Sequence, residues 1–171
     1  MGRILRIDLS SGAIEPEALD PELASRYYGG RGLGAVLLWR HFNNLKNQRA
    51  GADPFRDVDP LSPDNVIIIS ASPTTGTQLP TSGRFHMNYK SPLTEAYGST
   101  NAGGKWSVAF KKNGYDALVI SGRADHSVYL TLQRGRVSID DASEYETLDA
   151  VELRRLLKEK YSGRAQVLTI G

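Results

Sequence analysis

The sequence has no cysteine among its 171 residues. Disulfides, thiolate metal ligands, a thiol nucleophile and a chain-borne iron–sulfur cluster are therefore excluded. Charge of one sign is also missing: 21 basic against 19 acidic residues leave +2, too even for a nucleic-acid or anionic-membrane surface, and the Lys and Arg residues are not interleaved with aromatics. No apolar run approaches the roughly 20 residues of a membrane span, and the N-terminus opens into a strand pattern rather than a signal-peptide core. A cytoplasmic setting, with no nucleic acid and no membrane as partner, is the expectation. The three histidines, His41, His86 and His126, stand in unrelated contexts without H-E-x-x-H spacing. Neither Ser82 nor Ser99 sits in a G-x-S-x-G elbow. Side-chain catalysis by this chain alone is poorly supported, and no catalytic residue is assigned.

What is present fits one domain, since a 40% hydrophobic content at this length can bury an ordinary core. From Arg3 to Leu9 the residues alternate, with Leu5, Ile7 and Leu9 on one side, as in a half-buried strand. Asp20-Pro21-Glu22 offers a capping carboxylate, a proline at the first helical position and an acid in the first turn, predicting a helix to about Tyr28. Gly29-Gly30-Arg31-Gly32-Leu33-Gly34 follows a helix rather than a strand and has the wrong spacing for a dinucleotide fingerprint. It reads as a close-packed helix junction or a cofactor-facing loop. Leu33, Val36 and Leu37 recur at helical spacing, whereas the polar tract from Asn43 to Asp59 reads as a loop or insertion.

Val66-Ile67-Ile68-Ile69 is a continuous apolar strand expected to be covered on both faces. A Pro- and Gly-containing loop then leads to a strand from Phe85 to Tyr89, on which Arg84, His86, Asn88 and Lys90 share one face. Such a polar face meets either solvent or a charged ligand. Tyr97 to Lys105 reads as a polar, glycine-rich corner whose backbone amides could approach an oxygen-rich ligand, with a helix beginning just after it. It resembles a P-loop in composition only, because the glycine spacing is off and Trp106 stands where Ser or Thr would hold Mg²⁺. Trp106, Ala109 and Phe110 form a helical core stripe with Lys105, Lys111 and Lys112 on other faces. Strands are expected from Tyr115 to Ile120, Val128 to Leu132 and Val137 to Ile139, the last two turned at Arg134-Gly135. A helix carries Ala150, Leu153, Leu156 and Leu157, and a final strand is expected from Ala165 to Ile170.

Read together, Gly2-Arg3-Ile4-Leu5-Arg6-Ile7-Asp8-Leu9-Ser10-Ser11-Gly12, Tyr28-Gly29-Gly30-Arg31-Gly32-Leu33-Gly34, Asp59-Pro60-Leu61-Ser62-Pro63-Asp64-Asn65, Ser82-Gly83-Arg84, Lys90-Ser91-Pro92-Leu93-Thr94, Asn101-Ala102-Gly103-Gly104 and Gly114-Tyr115-Asp116-Ala117-Leu118 resemble the N-terminal domain of aldehyde:ferredoxin oxidoreductases, in order and near spacing. The resemblance covers essentially residues 1–171 as a single tungstopterin-binding domain, either excised or a separate subunit. It implies an α+β fold of two stacked β-sheets with edge helices, the base for a tungsten (or molybdenum) bis-pterin cofactor. By the same resemblance Arg84 and Asn101, Ala102, Gly103 and Gly104 are the cofactor contacts, and the Asn101 main-chain carbonyl binds a Mg²⁺ that links the pterin phosphates. Ala102 stands where the family usually has Ser, which leaves the backbone in place. The complete enzyme would oxidise aldehydes to carboxylic acids, passing electrons through a [4Fe–4S] cluster to ferredoxin, with helical domains carrying the cluster and a second pterin segment. This chain alone is expected to be inactive and prone to self-association. A non-catalytic pterin-binding or assembly protein is the alternative.

Overall fold

The computed structural model describes residues 2–49, 53–161 and 163–170. Two sheets carry the fold, as expected. Strands β1 (Arg3–Asp8) and β2 (Ala13–Ala18) form a hairpin, and β3 (Val66–Ala71), β4 (Arg84–Lys90), β5 (Tyr97–Gly103) and β6 (Ala117–Ser121) complete a six-stranded sheet in the order β2-β1-β6-β3-β4-β5. Only β1 and β6 run parallel within it; the other neighbours are antiparallel. The second sheet is the hairpin of β7 (Val128–Gln133) and β8 (Arg136–Asp141). Arg134 and Gly135 turn it with φ of 51° and 79°, the left-handed pair that matches the twist of a two-residue hairpin.

Helices cover both faces of the large sheet. Asp20 caps α1 (Pro21–Tyr27) by accepting from the Glu22 amide, as its sequence predicts. Helix α2 (Gly30–Gln48) then lies across one face, burying Leu33, Leu37, Leu38 and Phe42 against Ile4, Val66, Ile68 and Val119. Each such side chain contributes about 1.5–3 kcal/mol by leaving water. Gly34 lets the helix approach β4: a Cβ there would lie 1.9 Å from the Asn88 side-chain nitrogen. On the opposite face Leu5, Ile7, Ile69, Phe85 and Leu118 pack with Phe110 of α4 (Trp106–Lys112) and, more loosely, with Leu130, Leu132, Val137 and Ile139 of the hairpin. Trp106 belongs to this core, stacked on Phe110 with ring centroids 5.2 Å apart and tilted against Phe85. Helix α5 (Ala150–Lys160), capped by Asp149, adds Leu157.

Several expectations are corrected, the covering of Ile67 among them, since it is exposed. The first strand keeps Leu5, Ile7 and Leu9 against one core, as its alternation predicts, but Ile4 is buried on the other face under α2. The tract from Asn43 is helical to Gln48 within α2 and again in α3 (Pro54–Asp57); residues 50–52 of it lie outside the described residues. Leu45 gives the α2 extension an apolar anchor, and the Asn43 amide donates to the Trp39 carbonyl one turn back. Tyr97–Gly103 is a strand rather than a corner, its ladder to β4 outweighing the glycine content. Lys111 is not on an outer face but buried, its Nζ 2.7 Å from an Asp116 carboxylate oxygen. Residues Ala165 to Ile170 form no strand; they line an apolar cavity of about 700 Å³ with Ile69, Trp106, Leu130 and Leu157.

Candidate cofactor-binding edge

β5 is an edge strand, and the phase of its ladder with β4 decides which backbone groups are free. The Ser91 amide donates to the Ala96 carbonyl at one end of the pairing (2.8 Å), and the Gly104 amide to the Gly83 carbonyl at the other (2.9 Å). With the register, these bonds make Phe85–Ala102, Met87–Thr100 and Tyr89–Gly98 the hydrogen-bonded pairs, and Arg84–Gly103 and His86–Asn101 the others. No strand among the described residues lies beyond β5. The N–H and C=O groups of Asn101 and Gly103 therefore point to the open edge, while those of Ala102 are turned toward β4.

Side chains on this edge are linked. The Arg84 guanidinium donates through Nη1 to Asn101 Oδ1 at 2.6 Å, and Asn101 Nδ2 donates to His86 Nε2 at 3.4 Å. Arg84 has only donors, so it fixes which way the Asn101 amide points; that in turn makes His86 Nε2 an acceptor and puts the neutral ring's proton on Nδ1. Nδ1 is buried with no partner. Burial first, and then the nearby Arg31 and Arg84 charges, hold the His86 imidazolium below its usual pKa. Gly30, which opens α2, brings the helix start onto this ring: a Cβ there would be 3.2 Å from His86 Cδ2. Among the described residues no carboxylate pairs with Arg84, Glu95 included.

The polar face of β4 thus divides. Arg84 and His86 remain open beside the edge, whereas Asn88 is fully buried under α2, donating to the Ile68 carbonyl and accepting from the Tyr97 hydroxyl at 2.6 Å. Lys90 is buried too, its ammonium donating to the Arg56 and Val58 carbonyls. Protein, and neither solvent nor ligand, covers that half. The five residues Arg84, Asn101, Ala102, Gly103 and Gly104 are contiguous across two adjacent strand ends and exposed. His86 was visible as a polar-face residue, but its bond to Asn101 depends on a cross-strand register that spacing alone does not reveal.

Over residues 4–171 the sequence matches the family described as "Aldehyde ferredoxin oxidoreductase, N-terminal domain". The chain belongs to this family. It is 39% identical over 171 residues to the tungsten-containing aldehyde ferredoxin oxidoreductase of Pyrococcus furiosus, covering 99% of this chain and 26% of that protein. The protein of the same description from Pyrococcus horikoshii is 37% identical with the same coverage. A solved active-site complex, BamBC of benzoyl coenzyme A reductase with 1,5-dienoyl-CoA, superposes with a TM-score of 0.83 at 31% identity, over 95% of this chain and 23% of that one. The chain spans about a quarter of the length of these relatives. Within this aldehyde ferredoxin oxidoreductase domain, no group of three or more His, Asp or Glu residues among those described is placed to hold a metal ion. The outward-facing carbonyl oxygens at this end of the edge are those of Asn101 and Gly103.

Proposed function

We propose that the chain is the cofactor base of a tungsten-dependent aldehyde oxidoreductase, and that Arg84, Asn101 and Gly103 grip the phosphate-bearing end of a tungsten (or molybdenum) bis-pterin. The observation that carries this reading is the free edge of β5 beside an exposed guanidinium with no carboxylate partner. Arg84 spends one donor on Asn101 and keeps the rest of its planar fork for phosphate oxygens. The outward Gly103 amide adds a neutral donor, and a Cβ at this position would meet nothing closer than the Gly83 carbonyl at 3.8 Å. The outward Asn101 carbonyl suits a hard cation such as Mg²⁺, while the same residue's side chain steadies Arg84. Ala102 sets the spacing of the two contacts. Gly104, with its amide on Gly83, turns the chain into α4.

When bound, the metal–pterin group supplies two-electron oxidation of an aldehyde to a carboxylic acid. The [4Fe–4S] cluster, the acid–base groups and the ferredoxin contact belong to helical domains outside these residues. Aliphatic sulfonate oxidoreductase, WOR-like subunit, of Pyrococcus furiosus is 30% identical over 159 residues. The same base therefore occurs in proteins of other named reactions, and the substrate is chosen elsewhere. A non-catalytic pterin-binding protein is the second reading. Tungsten and pterin per protein decide the site: Arg84→Ala is expected to lower both about tenfold or more, the worth of a charge-assisted bond of about 1.5–3 kcal/mol. Lys112→Ala on the exposed side of α4 is the control. Equal cofactor content in the two variants would overturn the assignment.

A further inference from the structure

We propose that Thr75 is a positioning residue that holds Arg84 toward the cofactor, an inference that rests on the cofactor-base reading above. Thr75 lies in the loop between β3 and β4 and is fully buried. Its hydroxyl donates to the Ser82 carbonyl at 2.9 Å and to the Arg84 carbonyl at 3.2 Å, the two that flank Gly83. The need for it follows from the sheet. β3 pairs with β4 from Ile68–Asn88 to Ala71–Phe85 and then leaves. Arg84 is not hydrogen-bonded to β5, so its carbonyl faces the side that β3 has just vacated. A part-buried carbonyl there would lack a strand partner, and the Thr75 hydroxyl takes the place of the missing strand.

The same hydroxyl closes a tight turn. The Arg84 amide donates to the Ser82 carbonyl at 2.9 Å across Gly83, and the Gly83 carbonyl accepts from Gly104 at the edge that carries Gly103. A Cβ at Gly83 would sit 2.9 Å from the Gly104 carbonyl, so the turn is already pressed against β5. Thr75 pins this turn from inside and thereby fixes the backbone from which the guanidinium reaches Asn101 Oδ1. It touches neither Asn101 nor the open edge, and acts through Arg84.

The test is a double-mutant cycle on tungsten and pterin per protein, in the cofactor-bearing protein, with Thr75→Val, Thr75→Ser and Arg84→Ala. Thr75→Val keeps the shape and removes the donor; content is expected to fall about tenfold, comparable to one lost hydrogen bond to a charged group. Thr75→Ser, which keeps the hydroxyl, is expected to restore near-native content. In the Arg84→Ala background Thr75→Val is expected to add nothing, because the group it positions is gone; a merely structural role would multiply the losses. Should Thr75→Val fail to accumulate, Thr75→Cys, of similar bulk and a weak donor, replaces it and is expected to fall between Val and Ser. Native content in the Val (or Cys) variant, failure of Ser to rescue, or multiplying losses would overturn the role of Thr75. Native content in Arg84→Ala would instead overturn the site itself, and this inference with it.

Discussion

At the residue scale, Gly103 and Gly104 separate two reasons for glycine that the Gly-Gly pair hides in sequence. Gly104 has φ of 123°, a conformation that side chains rarely adopt, although a Cβ there would meet nothing within 4 Å. Gly103 has no such dihedral and only ordinary contact, so the backbone itself does not bar a side chain there. Gly103→Val is therefore expected to leave the chain's stability within about 0.5 kcal/mol while lowering tungsten and pterin content, because its branches would cover the outward amide. Gly104→Val is expected to destabilise by about 1–3 kcal/mol through backbone strain. Urea midpoints and cofactor assays on both variants check this, and a Gly103→Val protein with full cofactor would mean that no ligand approaches that amide. His86 gives a second handle. Its pKa is held below the usual 6.5 by burial and by the Arg31 and Arg84 charges. Removing one of those charges in Arg84→Ala should move it upward, read as the pH dependence of its ring resonance. The sign for stability follows: a depressed folded pKa means that the unfolded chain protonates first, so the His86 contribution is present above about 6.5 and lost as pH falls through the folded value.

At the element scale, local rules made α1, β4 and the β7–β8 turn legible, since Asp20-Pro21 and Arg134-Gly135 state their conformations within a few residues. β5 was not legible. The Tyr89 ring of the neighbouring strand leaves Gly98 no room for a Cβ, which would lie 2.6 Å from it, and the ladder that makes Tyr97–Gly103 extended comes from residues 7 to 19 positions earlier. Lys111 misled for the opposite reason, because a lysine at a helix end normally reaches water. Here its ammonium donates to Asp116, which also accepts from the Gly2 and Arg3 amides, and to the Ser72 carbonyl. α4 is thereby tied to the start of β1 and to the loop that carries Thr75. Removing one partner strands a buried charge, so Lys111→Met is expected to cost about 3–5 kcal/mol. Arg155→Ala, which breaks an exposed pair with Glu159, should cost about 0.2–1 kcal/mol. Burial pushes the Asp116 carboxyl up, but the Lys111 bond and charge and the two amides outweigh it and hold it below the usual range. Its contribution is thus present above about pH 4 and lost as pH falls through the folded value. Urea titrations of wild type and Lys111→Met at pH 7 and at successively lower pH should show the gap narrowing as the acid range is entered; a gap that persists unchanged would show that charge is not what Lys111 supplies.

At the scale of the whole molecule, two faces of the large sheet are covered unequally. α2 seals one with buried residues, but the hairpin side leaves Leu130, Leu132, Val137 and Ile139 only partly buried, the first two of them lining the 700 Å³ cavity. Ile67, expected to be covered, is 42% exposed on that same side, and Ile170 is 89% exposed. The two-sheet architecture was legible because strands and helices announce themselves locally. Which face would stay open was not, because cover can come from polypeptide that this sequence does not contain. About three quarters of the Pyrococcus furiosus relative lies outside the matched part, 26% of its length being covered. Apolar side chains left exposed in this way favour association when nothing covers them. The 171-residue chain alone is therefore expected to sediment with a mass that rises with concentration and to bind an apolar fluorescent dye. Replacing exposed Ile67 by Lys should weaken both signals, since a charge there opposes burial without disturbing the α2 core. A monomer at every concentration with no dye signal would show that the loosely covered face is already satisfied by the hairpin and α5.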